Sequence, residues 1–93
     1  MKIALIPNLT RNKAREVTLS ICKELDKAGI SYCFSSQQKD CFPEVPESFF
    51  EDPSQYIKNS DMVLSVGGDG SMLRAAKLAA DENKNILGRE PGM

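Results

Sequence analysis

The sequence predicts an α/β fold: a doubly wound, mostly parallel β-sheet with helices on both faces. Residues 2–6 and 61–66 are short apolar runs without alternation, which is typical of strands that are covered on both faces. Stretches with helical periodicity lie between such runs. The resulting element order, βαβ(α)βαβ, favours a parallel sheet, because each crossover helix returns the chain to the same edge.

The first third of the chain predicts a βαβ unit. Residues 2–6 form its first strand, and residues 30–34 form its second. Between them, from 12 to 28, apolar residues recur three or four positions apart on one stripe: Ala14, Val17, Ile21, Leu25 and Ala28. Gly29 follows as a C-terminal cap. We expect a right-handed crossover.

Residues 35–50 carry no helical or strand period, and two prolines interrupt them. We expect a surface excursion there. Phe42, Phe49 and Phe50 are unusual in such a segment. Two alternatives stay open at this point: the three rings pack on the edge of this domain, or they pack on a partner segment.

The remaining elements follow from local signals. Asp52 as a cap, with Pro53 after it, predicts a short helix over 54–58. Residues 61–66 predict the third strand, and a fourth begins at 86–87. The helix between them has a broad face of small residues: Met72, Ala75, Ala76, Ala79 and Ala80. Since the chain ends soon after its fourth strand begins, we expect an incomplete domain.

Composition excludes several classes of function. The chain has 93 residues and a net charge of −1, so it predicts one small domain and makes no case for nucleic acid or an anionic membrane. It has neither a spanning apolar run nor a signal-peptide pattern. Its 3 cysteines lack C-x-x-C spacing, which favours reduced thiols and a cytoplasmic location. There is no histidine, so acid–base chemistry falls to carboxylates, lysines or thiols.

The chemistry concentrates at Gly67–Ser71, between the third strand and its helix. A strand, a glycine turn and a helix start can cradle phosphate on backbone N–H groups. Asp69 does not fit a simple cradle, since a carboxylate repels phosphate. An acid here suits proton abstraction, orientation of a hydroxyl, or a metal ion. The structural alternative is a tight turn in which Asp69 only caps the helix.

Asn8, after the first strand, is a secondary site candidate, because ligands bind at the carboxyl ends of parallel strands. Its alternative is a turn or capping role. Two common nucleotide motifs are excluded. Nothing matches G-x-x-x-x-G-K-[ST], and Leu73 stands where a Rossmann fingerprint needs its third glycine.

Gly67–Ser71 resembles the G-G-D-G-[TS] signature of NAD kinases, diacylglycerol and sphingoid lipid kinases, and 6-phosphofructokinases. The flanks, residues 61–66 and 72–76, are similar to the NAD kinase version. Lipid kinases usually have Asn-Glu after the turn, and this chain does not. Phosphofructokinases carry another glycine-rich loop after the first strand, and the segment from Pro7 to Leu9 is unlike it. Ile86–Gly88, followed by Gly92, also resembles the L-G-I-N-x-G segment of NAD kinases, although Arg89-Glu90 replaces Ile-Asn.

The resemblance implies an enzyme that transfers the γ-phosphoryl group of ATP, with a divalent metal such as Mg²⁺, to the 2′-hydroxyl of the adenosine ribose of NAD. Asp69 then matches the proton acceptor. Gly70 and Arg74 match positions lining the NAD site, and Gly67 and Gly68 match the turn near the phosphates. No residue is assigned as a metal ligand.

By the same resemblance, residues 1–93 are the N-terminal nucleotide-binding domain of an NAD kinase, without its second, all-β domain. The full-length family enzyme is expected to be a homo-oligomer. Two other hypotheses remain: an inactive truncated product that acts as a binding or regulatory partner, and a lipid kinase fragment. We expect the isolated chain to be inactive.

Overall fold

The computed structural model describes residues 1–89, which form five strands and two α-helices. In chain order these are β1 (Lys2–Pro7), α1 (Ala14–Ala28), β2 (Ser31–Ser35), β3 (Phe50–Glu51), β4 (Met62–Val66), α2 (Asp69–Asp81) and β5 (Asn85–Arg89). Two short 3₁₀ helices, Ser36–Cys41 and Glu47–Phe49, lie between β2 and β3.

All five strands are parallel, in the order β3-β2-β1-β4-β5. Ile3 on β1 is in register with Tyr32 on β2 and with Met62 on β4. From β1 the chain first builds outward through β2, and then returns to the other side of β1 to add β4 and β5. This reversal between β1 and β4 confirms the predicted doubly wound α/β fold.

Each face of the sheet has its own apolar core, because successive residues of a strand point to opposite faces. The core with α1 contains Ile3, Leu5, Ala14, Ile21, Cys22, Tyr32, Phe34, Phe42, Val45 and Val66. The core with α2 contains Ala4, Cys33, Tyr56, Ile57, Val63, Ala75 and Ala79. Helices therefore cover both faces, as predicted.

The helix α1 begins at Ala14, two residues later than predicted, because Lys13 has a left-handed φ of 65°. It ends as predicted at Gly29, where φ is 72° and the backbone N–H bonds the carbonyls of Asp26 and Leu25. A positive φ is the conformation that favours glycine after a helix.

The excursion after β2 is ordered by aromatic packing. Phe42 is fully buried and stacks on Phe34 with ring centroids 4.6 Å apart. Phe50 stacks on Phe34 at 5.5 Å, and Phe49 packs edge-on against another core ring. The first alternative is therefore confirmed: the three rings pack on this domain. The two-residue strand β3 was not predicted, because it is too short to show alternation.

The helix predicted over 54–58 is wrong, since the segment forms hydrogen-bonded turns. The Asp52 carboxylate accepts from the N–H of Ser54 at 2.8 Å, as a capping residue would. A mixture of i→i+3 and i→i+4 bonds follows, such as those from the N–H groups of Gln55 and Tyr56 to the Asp52 carbonyl. The segment is too short for a helix to propagate. The predicted fourth strand is present as β5, whereas Glu90 and Gly92, which carry part of the tail resemblance, lie outside the described residues.

The two buried cysteines act as core residues, as predicted. Burial raises the pKa of Cys22 to about 11 and also raises the pKa of Cys33, so both remain protonated thiols at neutral pH. Cys41 is exposed. Within residues 1–89, no helix is both long enough and apolar enough to cross a membrane.

We predict that Phe42→Ala lowers the free energy of unfolding by about 3–5 kcal/mol, because the ring is fully buried and the lost volume leaves a cavity. Leu73→Ala is the control: Leu73 is 73% exposed on α2, so its truncation should change stability by less than about 0.5 kcal/mol. Urea denaturation measures both. Equal losses would contradict the assignment of Phe42 to the core.

Candidate functional site

The candidate site lies where the strand order reverses, at the carboxyl ends of β1 and β4. Open α/β sheets bind ligands at such a point, because the two following loops diverge there and leave a crevice. The loop after β1 and the glycine turn after β4 are tied together. Asn8 N–H donates to the carbonyl of Val66 at 2.8 Å, and Asn8 Nδ2 donates to Ser71 Oγ at 2.6 Å.

A cavity of about 640 Å³ opens beside this junction, a volume in the range of small-molecule sites. Its lining comes from the end of β1 with its loop, the start of α2, and the segments after β2 and β3: Ile6, Asn8, Arg11, Ser35, Gln37, Gln38, Pro53, Tyr56, Ile57, Gly68, Gly70, Ser71, Arg74 and Leu78. Among these described residues the charged side chains are two arginines, with no carboxylate. The cavity therefore suits an anionic ligand.

The first glycine of the turn is required by packing against Ser71, whereas the second lies against the mobile end of the Arg11 side chain. Neither has a positive φ, so backbone strain does not explain them. A Cβ on Gly67 would lie 2.7 Å from Ser71 Cβ and Oγ. A Cβ on Gly68 would lie 2.4 Å from Arg11 Nη1. The turn is thus held closed by side chains from α2 and from the loop after β1.

Gly70 differs from its two neighbours. It is the second residue of α2 and lines the cavity, and a Cβ built on it meets nothing within 4 Å. Glycine inside a helix costs up to about 1 kcal/mol relative to alanine. Packing among the described residues does not require this glycine, so it leaves open backbone on the cavity wall where a ligand can approach.

Asp69 is the first residue of α2, and the residue in the capping position is Gly68, with no side-chain capping bond. The interpretation of Asp69 as a helix cap is therefore wrong. Its carboxylate has no hydrogen-bond or ion-pair partner among the described residues.

The two faces of α2 separate the acid from the cavity. Ser71 and Arg74, three residues apart, line the cavity. Asp69 is exposed and is not among the lining residues. Because a helix has 3.6 residues per turn, Asp69 shares its flank with the exposed Leu73. The structure thus places the acid at the rim, between two glycines of the turn rather than inside the cavity.

Arg74 faces the cavity near Tyr56. Burial raises the pKa of the Tyr56 phenol, and the positive charge of Arg74 partly offsets that rise. The guanidinium therefore acts electrostatically across the cavity, between α2 and the turns after β3. Arg74 is itself exposed, so it can reach a bound anion.

Comparison with known proteins supports the sequence-based resemblance. No family model matches the chain. Curated NAD kinases do match, among them those from Moorella thermoacetica, 28% identical over 87 residues (94% of this chain, 27% of the relative); from Bacteroides fragilis, 29% over 97 residues (99% and 33%); and from Chlorobaculum tepidum, 28% over 92 residues (99% and 31%). The chain is related to the NAD kinases. It spans about a third of the length of these relatives.

Several residues that line the cavity of this chain were not predicted from its sequence. Arg11 could have been predicted, because it lies in the loop after a strand's carboxyl end, as Asn8 does. Gln38 and Tyr56 carry no such signal. They reach the cavity only through tertiary contacts, such as the 3.0 Å bond from Gln38 Nε2 to the carbonyl of Pro7.

The described residues bring together few side chains of the kinds that bind metal ions. Within residues 1–89, no three histidine, cysteine or acidic side chains gather where they could hold a metal ion. Mg²⁺ in nucleotide enzymes commonly takes one or two carboxylates together with substrate phosphates and waters. A metal that arrives with substrate phosphates would not need such a cluster of three side chains.

We predict opposite effects for two glycine substitutions in the same turn. Gly67→Ala should lower the free energy of unfolding by about 1–3 kcal/mol, because the new methyl group overlaps Ser71. Gly70→Ala should raise it by up to about 1 kcal/mol, because the site is open and alanine favours the helix. Urea denaturation of both variants is the measurement, and effects of equal sign would contradict the packing described here.

Proposed function

We propose that this chain is the nucleotide-binding part of an NAD kinase, which transfers the γ-phosphoryl group of ATP to the 2′-hydroxyl of the adenosine ribose of NAD and yields NADP. One observation carries the proposal. The G-G-D-G turn of an NAD kinase relative opens directly onto a nucleotide-sized cavity whose charged lining, among the described residues, is arginine.

The cavity walls suit the two parts of a nucleotide. Arg74 presents its guanidinium group to phosphate oxygens, which it can bind with paired N–H donors. Gly70 leaves the backbone accessible beside it. Ile57 and Leu78 offer apolar surface to a base or ribose. Any divalent metal would enter with the phosphates, and no step is assigned to a metal bound by the protein.

Asp69 is proposed as the proton acceptor for the ribose hydroxyl. Phosphoryl transfer depends mostly on positioning and charge stabilisation, and a well-placed base adds on the order of 10²–10⁴ in rate. Because Asp69 lies at the rim, the acceptor ribose would approach along the exposed flank of α2 while phosphates occupy the cavity. That flank has no opposing wall among the described residues, so we propose that residues 1–93 act as one domain and that a further domain holds the acceptor.

A second candidate function is non-catalytic nucleotide binding, as a regulatory module. The position of Asp69 outside the cavity lining favours it. This second candidate predicts that every form of the protein binds nucleotide at Gly68–Arg74 and that none of them produces NADP.

We predict that Arg74→Ala weakens NAD binding to the NADP-forming form of the protein by about tenfold, the value of a charge-assisted hydrogen bond, and weakens ATP binding less, because the resemblance places Arg74 on the NAD side. Titration calorimetry with each nucleotide measures the affinities. Lys77→Ala is the control, because Lys77 is an exposed cation on the same helix that does not line the cavity. Unchanged affinities in Arg74→Ala, or equal losses in both variants, would exclude Arg74 from the site.

We predict that Asp69→Asn lowers kcat for NADP formation by about 10² or more while nucleotide affinity changes little, because the substitution keeps the shape and removes the base. The assay uses the form of the protein that converts NAD and ATP–Mg²⁺ to NADP. The 93-residue chain alone should form none at an ordinary enzyme rate, since orientation of both substrates supplies much of catalysis. Asp81→Asn, at the other end of α2, is the control. A normal kcat in Asp69→Asn would exclude Asp69 as the proton acceptor, whereas no NADP formation by any form of the protein would leave the second candidate.

A further inference from the structure

We propose that Asn8 is a positioning residue that makes the hydroxyl of Ser71 a hydrogen-bond donor to a phosphate oxygen in the cavity. The inference rests on the proposed function in one respect, that the cavity takes nucleotide phosphates. It adds a phosphate-binding residue, Ser71, and a residue that acts through it, Asn8.

The orientation of the Asn8 carboxamide follows from its bonds to Thr10. One carboxamide atom receives the backbone N–H of Thr10 at 3.2 Å and the Thr10 hydroxyl at 2.6 Å. A backbone N–H can only donate, so this atom must be the carbonyl oxygen. The other atom is then the NH₂ group, which can only donate.

This orientation sets the direction of the bond between Asn8 and Ser71. The NH₂ group of Asn8 lies 2.6 Å from Ser71 Oγ, so the serine oxygen must accept. A serine hydroxyl has one hydrogen to donate and accepts through its lone pairs. The hydrogen of Ser71 is therefore left to donate elsewhere, and no acceptor for it is present among the described residues. Ser71 is half-buried and lines the cavity.

Packing holds this donor in place before any ligand arrives. The position where a Gly67 Cβ would lie is 2.7 Å from Ser71 Oγ and 3.1 Å from Asn8 Cβ, so both side chains fill the space that the glycine leaves. The backbone N–H of Asn8 is bonded to Val66 at 2.8 Å, which anchors the loop to β4. A donor oriented in advance loses less entropy when it binds.

The chemistry of the cavity identifies the acceptor as a phosphate oxygen. Arg74 on its wall favours an anion, and hydrogen bonds to an ionised acceptor are about twice as strong as neutral ones. An aspartate at position 8 would reverse the arrangement. It is acceptor-only when ionised, so it would take the serine hydrogen and turn the donor away from the cavity.

The test measures binding of inorganic pyrophosphate to the 93-residue chain by titration of ¹⁵N-labelled protein, following the amides of residues 67–74. Ser71→Ala should weaken binding by about tenfold, since it removes a charge-assisted bond. Ser71→Thr keeps a hydroxyl and should bind within about twofold of wild type. Asn8→Asp should weaken binding by more than tenfold, through the reversed bond and the added charge.

A double variant separates the two effects of Asn8→Asp. In the Ser71→Ala background only the added charge remains, so Asn8→Asp should cost several-fold less there than in wild type. Gln37→Glu places a negative charge on another part of the cavity lining, and its loss in affinity should be similar to that residual. Amide spectra and thermal melting report whether each variant is folded.

The inference is overturned if wild type does not bind pyrophosphate, if Ser71→Ala binds it as wild type does, or if Asn8→Asp has the same effect in both backgrounds. If Asn8→Asp does not fold, the affinities of Ser71→Ala and Ser71→Thr for pyrophosphate are compared. Equal affinities of these two variants would overturn the inference. Pyrophosphate is not a substrate of the proposed reaction. If the variants show the expected pyrophosphate affinities but no form of the protein makes NADP, the proposed function is wrong and this inference still holds.

Discussion

The site depends on the space that Gly67 leaves by lacking a side chain. Ser71 from α2 and Asn8 from the loop after β1 both occupy that space, and Asn8 is also bonded to the carbonyl of Val66. The loop after β1 and the glycine turn after β4, which are distant along the chain, are thereby held together at the carboxyl ends of adjacent strands. This contact adds to the pairing of β1 with β4 and holds the start of α2 against the loop after β1, where both line the cavity.

The helix α2 meets three demands with three of its faces. Ala75 and Ala79 are buried against the sheet, and their small side chains let the helix lie close to it. Ser71 and Arg74 face the cavity. Asp69 and Leu73 face solvent. Gly70 weakens the first turn of the helix but keeps its backbone open to the cavity, an example of local stability given up where a ligand is to approach.

The aromatic packing on the other side of the sheet also supports the site. Phe42 and Phe50 stack on Phe34, and this packing orders the segment that follows β2. Gln38 lies in that segment and bonds the carbonyl of Pro7 at the end of β1. A ring cluster in the core therefore positions polar residues on the far wall of the cavity.

Sequence alone determined the fold class, because strand and helix periods and the glycine turn are local signals. It also determined the family relationship, since the G-G-D-G signature and its flanks are contiguous. It missed β3 and wrongly predicted a helix at 54–58, where elements of a few residues have no measurable period. Tertiary structure alone decided that Gly67 is required by Ser71, and that Arg11, Gln38 and Tyr56 share one cavity. It also decided that Asp69 lies at the rim rather than inside. These outcomes depend on which side chains meet across the junction of β1 and β4, and that meeting is set by packing between segments distant in sequence.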